Sequence, residues 1–193
     1  NIDGLGLERI GVVVERDKIV VDNNFRTNVP SIYAVGDIIS TPALAHIASA
    51  EATNCVERMF GKNPSAIDYS LTPACIFTTP EIASVGLTEE QAQKQGIEYK
   101  VGKFPMSANG KALILNGGEG LVKIIAGKEY GEILGMHIIG PRATDLIAEG
   151  ALAIAEEMTL DEIIATIHSH PTVTETMREA ALQAEKRAIH TKN

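Results

Sequence analysis

At Ala143 the spacing of apolar residues changes from strand-like to helical, and that change of period constrains the fold more than any single motif. Before it, residues 97–104 (IEYKVGKF), 112–115 (ALIL), 120–126 (GLVKIIA) and 132–139 (EILGMHII) read as strands joined by glycine-rich turns. The last two read as a hairpin around Gly127-Lys-Glu-Tyr-Gly131. Ahead of them lie two more short strands, ACIF and IASVG, and a capping box, Thr88 to Gln91, that opens a short helix ending at Gly96. After Ala143, one helix face is marked by Ile147, Ala151, Ile154 and Met158. A second capping box, Thr159 to Glu162, opens a helix with Ile163, Ile164 and Ile167 on its buried side. A last helix runs to about Arg187 on Val173, Met177, Ala181 and Ala184. Strands gathered before helices predict an α+β domain, with a mostly antiparallel sheet and flanking helices.

Residues 61–73, with two prolines and no periodicity, read as a linker, so a boundary is expected near residue 68, separating 1–68 from 69–193. Within 1–68, residues 9–22 read as a hairpin and 31–37 (SIYAVGD) as a short strand. A helix is expected from Thr41-Pro42, Thr as N-cap and Pro at the first position, with Leu44, Ala48, Ala52, Cys55 and Met59 on its apolar face.

Charge narrows the function classes. With 25 acidic and 17 basic side chains the formal net charge is −8, and no Lys/Arg run exceeds two, which argues against a nucleic-acid backbone as partner. No apolar stretch approaches the ~20 residues that cross a bilayer. Cys55 and Cys75 form no close pair of metal-binding or redox type and read as buried thiols, which suits a reducing compartment such as cytoplasm or mitochondrial matrix.

The segment His168-Ser-His170-Pro171-Thr172-Val-Thr-Glu175 carries the densest chemistry. An imidazole titrates near neutrality, at roughly 6.5, and acts well as a base when a carboxylate orients its other nitrogen. Glu175 lies close enough in sequence to serve His170 in that way. Two other readings stay open: Thr172-x-x-Glu175 is itself a capping box, and two histidines two apart form half a metal site. No third ligand accompanies them at a recognisable spacing, so no metal is expected. A second constellation is Asp37, after an apolar run, followed by Ala43-Leu44-Ala45-His46 at a helix start. A carboxylate there suits hydroxyl groups, and helix-start amides suit negative charge; a simple turn role for Asp37 competes. Gly4-Leu-Gly6 lacks the third glycine of a dinucleotide fingerprint, and Gly117-Gly118 reads as a turn.

Taken in order, GLGLERIGV, TNVPSIYAVGD, LAHIASAEA, CIFTTPEIASVGLTE, GMHIIGPRATDLIAE and HSHPTVTE resemble the pyridine-nucleotide-disulphide oxidoreductase family over nearly the whole chain. The resemblance extends to its last two domains. Residues 69–193 then correspond to the interface (dimerisation) domain and 1–68 to an incomplete central segment contacting FAD. The family's CxxxxC disulphide and N-terminal GxGxxG motifs have no counterpart in these residues. The resemblance implies that His170 is the general base, that Glu175 orients it, that Asp37 holds the ribityl chain of FAD, and that Ala43, Leu44, Ala45 and His46 lie by the flavin ring. It also implies NAD as co-substrate and a second copy of the chain as obligatory partner. Within the family, the HxH form and the lack of a C-terminal cysteine pair favour members that oxidise dihydrolipoamide on lipoyl domains over glutathione- or mercuric-reductase-like members. The chain alone is expected to be inactive, and residues 1–68 to leave an apolar face exposed or covered by a neighbouring chain, with limited order there or contacts with a second copy. The other class open to the sequence is a dimerisation module without catalytic duty.

Overall fold

The computed structural model describes residues 1–192. It divides into two compact units, Asn1–Tyr69 and the chain from Ser70 onward.

In the first unit, β1 (Val14–Glu15) and β2 (Lys18–Ile19) form a hairpin far shorter than residues 9–22. Arg16 and Asp17 sit at its tip with φ of 49° and 61°, the left-handed pair that a tight hairpin turn requires. Leu7–Ile10 is instead a 3-10 turn. Residues 31–37 do not form the expected strand: Tyr33 makes a single bridge to Arg26, and Gly36–Ile38 closes as a 3-10 turn. Helix α1 (Ala45–Met59) starts later than expected, with extended Leu44 as N-cap, because the Leu44 carbonyl accepts the first helix bond, from the Ala48 amide. Its buried stripe is Ile47, Glu51, Asn54 and Cys55, while Met59 is exposed. Two of those four are polar, so an apolar-spacing search rotates the face away from its true position. Val12, Ile19, Phe25, Ala34, Ile39 and Cys55 form the core. Leu5, Val13, Val14, Val20, Val56 and Phe60 are exposed.

The second unit is built on an antiparallel sheet in the order β3-β4-β7-β6-β5. Its strands are β3 (Ala74–Ile76), β4 (Glu81–Gly86), β5 (Tyr99–Pro105), β6 (Leu121–Gly127) and β7 (Ile133–Gly140). The helices are α2 (Glu89–Lys94), α3 (Gly110–Asn116), α4 (Ala143–Ala155), α5 (Leu160–Ala165) and α6 (Glu175–Ala184). Both expected capping boxes form, at Thr88–Gln91 and Thr159–Glu162. Helix α4 packs on β4 and β7, and α6 on β5 and β6. One core holds Phe104, Val122, Ile124, Met136, Ile147 and Met177, all at most 2% exposed. Burying one such side chain is worth about 1.5–3 kcal/mol.

Two expectations fail here. Residues 112–115 are helical, because the Asn109 side chain accepts from the Ala112 amide (2.8 Å) and left-handed Gly117 ends the turn. Four apolar residues in a row fit either period. Ile167 is 95% exposed, since α5 stops at Ala165 before its next inward position.

Gly102 on β5 sets how α6 sits: a Cβ there would run into the Ala180 carbonyl. Glycine on the strand and fully buried Ala180 and Ala181 on the helix let the two backbones approach closely. That seats the C-terminal half of α6, at Ala180 and Ala184, directly on the strand.

Candidate functional site

The turn before α6 is tied down from several sides. Val173 is buried, the Thr172 hydroxyl donates to the Ser169 carbonyl (2.6 Å), and Asn109 Nδ2 donates to the Thr172 carbonyl (3.0 Å). Glu175, the first residue of α6, then uses both carboxylate oxygens. Oε1 lies 2.9 Å from His170 Nδ1, and Oε2 accepts the Thr172 amide at 2.9 Å. Glu175 reaches back to the Thr172 amide as a capping box would, but the box itself does not form, because α6 starts later, with Thr174 as N-cap, and the Thr172 hydroxyl goes to Ser169. Burial pushes the Glu175 carboxyl up, but the Thr172 amide, the His170 hydrogen bond and the nearby His170 and His190 rings outweigh it and hold the group below the usual carboxylate range. Glu175 thus stays ionised at neutral pH and holds the Nδ1–H tautomer of His170, leaving Nε2 as the basic nitrogen. The His170 side chain is 81% exposed, and no other described residue bonds to its ring.

The ring opens on a cavity of about 460 Å³ lined by His168, His170, Glu175, Arg178, Glu179 and His190, among others. Two pairings there escape sequence reading. His168 meets Glu149 of α4 at 2.9 Å. His190 Nδ1 meets Glu179 Oε1 at 3.1 Å, while Glu179 Oε2 accepts the Ile189 and His190 amides. Glu175 and Glu179 are thus i,i+4 neighbours on α6, each holding one histidine. The i,i+4 spacing was a usable signal; Glu149, 19 residues from His168, gave none. The half-metal-site reading finds no support, because His168 and His170 take separate carboxylates. Among the described residues no group of three His, Cys, Asp or Glu could hold an ion.

In the first unit, exposed Asp37 lies in the Gly36–Ile38 turn, which packs on α1, and its carbonyl accepts Lys18 Nζ at 2.5 Å. Ala43 and Leu44 precede α1; Ala45 and His46 form its first turn. Sequence reading missed Glu51, which is fully buried. Its Oε2 accepts the Gly36 amide (2.6 Å) and its Oε1 the Tyr69 hydroxyl (2.8 Å). Burial and the Glu51 carboxylate push the Tyr69 hydroxyl up to about 12. Cys55 and Cys75 are free thiols, both raised by burial first and then by Asp22 and Glu81 respectively.

Residues 72–181 match the dimerisation domain of pyridine nucleotide-disulphide oxidoreductases, and residues 1–52 match the pyridine nucleotide-disulphide oxidoreductase family. The chain is 47% identical to a dihydrolipoyl dehydrogenase of Bacillus subtilis (strain 168) over 98% of its own length and 40% of that protein. It is 50% identical to the Geobacillus stearothermophilus dihydrolipoyl dehydrogenase, with the same coverage. Among solved structures, LpdA from Mycobacterium tuberculosis superposes with a TM-score of 0.86 at 30% identity, covering 94% of this chain and 40% of that one. The chain spans about two fifths of the length of these relatives.

Proposed function

The chain belongs to the pyridine nucleotide-disulphide oxidoreductase family, and on that premise we propose that it forms the C-terminal portion of a dihydrolipoyl dehydrogenase, a flavoenzyme that reoxidises protein-bound dihydrolipoamide with NAD+. One observation carries the reading: His170, whose ring lines an open cavity, has Nδ1 held at 2.9 Å by ionised Glu175, and no described residue bonds its Nε2. In this reading Nε2 accepts the proton of a dihydrolipoamide thiol. The thiolate left behind attacks one sulphur of the family's redox disulphide, breaking that S–S bond, forming a mixed disulphide and releasing the other cysteine as thiolate. The second substrate thiol then displaces the first cysteine, which leaves with that thiol's proton, while the imidazolium, stabilised by Glu175, balances the remaining thiolate. Cys55 and Cys75 are both free thiols and lack the CxxxxC spacing, and in this reading the family's disulphide is contributed by another part of the enzyme.

The first unit fits a flavin. The α1 N-cap Leu44 brings no side-chain acceptor to the first-turn amides, Asp37 is exposed beside that helix, and Thr41 Oγ1 is buried without a partner among the described residues. Asp37 would accept from ribityl hydroxyls, and the amides at Ala45 and His46 would face the electron-rich ring. Bound FAD would supply the two-electron link between the disulphide and NAD+. The second unit would pair with a copy of itself, and the assembled enzyme would meet lipoyl domains of 2-oxo acid dehydrogenase complexes or the glycine cleavage system. Cytoplasm, or the mitochondrial matrix in a eukaryote, suits such partners. The 193-residue chain alone would not turn over substrate.

The test is His170→Gln in the full-length enzyme. Oxidation of dihydrolipoamide should fall by about 10²–10⁴-fold, while electron transfer from NADH to an artificial dye, which needs no thiol base, is kept. If dihydrolipoamide turnover stayed within a few-fold of wild type, the reading of a dimerisation module without catalytic duty would take its place.

A further inference from the structure

His168 and His170 stand two residues apart yet in opposite environments. The His168 side chain is 4% exposed, against 81% for His170. Both ring nitrogens of His168 face oxygen acceptors: Nδ1 lies 3.0 Å from the Thr166 carbonyl, and Nε2 lies 2.9 Å from Glu149 Oε1. A neutral imidazole has one N–H and one lone pair, so a neutral ring would press a nitrogen lone pair against one of these oxygens. Only the imidazolium donates to both. Glu149, on α4 and 30% exposed, supplies the balancing charge, and Arg178 of α6 is the cation that opposes it. The Glu149 hydrogen bond outweighs burial and Arg178 and keeps His168 above the ordinary imidazole range.

The place of this pair gives it a mechanical consequence. Thr166 caps the C-terminal end of α5, Glu149 belongs to α4, and His170 follows two residues later. Arg178 Nε donates to the Ile164 carbonyl (2.9 Å) and holds the same end of α5 from α6. We propose that His168 is a positioning residue, held as an imidazolium between Glu149 and the Thr166 carbonyl, which fixes the segment that presents His170 Nε2 to the dithiol. The proposal rests on the reading of His170 as the base. When His168 loses its proton, the bond to Thr166 or to Glu149 is lost and the segment is released. A displacement of ~1 Å at a reacting group is enough to cost about 10²-fold in rate.

The test compares Glu149→Gln and His168→Gln with wild type in the full-length enzyme. The amide introduced by Glu149→Gln would still accept a hydrogen bond but would not hold a positive ring. Turnover of dihydrolipoamide should fall about 10-fold with KM nearly unchanged, and the alkaline limb of the kcat profile should move about one pH unit lower. NADH-to-dye electron transfer should be unaffected. If His168→Gln fails to fold, Glu149→Gln, at a partly exposed carboxylate, carries the test. A kcat within about twofold of wild type and an unmoved alkaline limb would overturn the proposal. A second measurement needs no turnover. In the full-length enzyme labelled with ¹⁵N-histidine, at about pH 7.5 and so above the ordinary value of roughly 6.5, both His168 nitrogens should resonate as imidazolium. A neutral-tautomer pattern overturns the proposal whatever the kinetics. Normal turnover in His170→Gln combined with an imidazolium His168 would show instead that the base assignment is what failed.

Discussion

Glu175 divides its carboxylate between two neighbours: one oxygen holds the His170 ring at 2.9 Å, and the other accepts the Thr172 amide at 2.9 Å. The same group that closes the start of α6 thus sets the tautomer of the histidine. Closure of the turn before α6 and the hold on the His170 ring share one carboxylate, so a change at Glu175 acts on both.

Two substitutions separate those duties. Glu175→Gln keeps an oxygen for the Thr172 amide but removes the charge that favours the imidazolium. Dihydrolipoamide turnover of the full-length enzyme should drop about 10²-fold with a melting temperature close to wild type. Glu175→Ala should lose that activity and also about 1 kcal/mol of stability, read from urea unfolding. Equal melting curves for the two variants would contradict the shared role.

The pH dependence of stability should have two arms of opposite sign. Glu175 is held below its ordinary value of 4.5, so its stabilisation is complete above that value and is lost as pH falls through its lower native one. His168 is held above its ordinary value of 6.5, so its contribution is complete below that value and fades as pH rises through its higher native one. Denaturant midpoints across pH should therefore fall at both ends. Glu175→Gln should flatten the acid arm and Glu149→Gln the alkaline arm.

Asn109 caps α3 through Oδ1 and holds the Thr172 carbonyl through Nδ2. Asn109→Ala removes both bonds at a site only 6% exposed, and should cost about 1–3 kcal/mol. Because Thr172 belongs to the His170 turn, turnover should fall as well. Unchanged kinetics in a destabilised variant would confine Asn109 to capping.

Glu51 secures the Gly36 amide beside Asp37 and the Tyr69 hydroxyl. Glu51→Ala strands the buried Gly36 amide, at about 1–3 kcal/mol, removes the acceptor of the half-buried Tyr69 hydroxyl, and loosens the turn that carries Asp37. FAD binding to the full-length enzyme, followed by fluorescence, should become about 10-fold weaker, a change of about 1.4 kcal/mol. Retained affinity would show that the Gly36 turn stands without Glu51.

Much of the second unit was legible because its signals are local. Capping boxes at Thr88 and Thr159 need only four residues to specify a helix start, and both formed. The hairpin of β6 and β7 follows from two β-branched runs around a glycine-bounded turn. The errors fell where local signals are degenerate. The run at 112–115 suits strand or helix, and only the Asn109 cap and Gly117 decide between them. Residues 31–37 look like a strand, yet pairing needs a neighbour, and Tyr33 finds only the single bridge to Arg26. The α1 face was misplaced because Glu51 and Asn54 are buried among polar partners that no hydrophobicity pattern reveals.

The same division runs through the site. By itself the sequence determined that an imidazole and a carboxylate five residues apart, with a proline between them, sit at a helix start, because that relation is local along the chain. It equally determined the α+β division, since the switch in apolar period at Ala143 is written in consecutive residues. Only the tertiary structure decided that Glu149 reaches His168, that Glu179 gathers His190 to the same cavity, and that Gly102 lets α6 settle on β5. Those relations join residues 11 positions apart for Glu179 and His190, 19 for Glu149 and His168, and 78 for Gly102 and Ala180, brought together by the packing of helices on the sheet. Packing depends on the shapes of surfaces that exist only once the chain has folded.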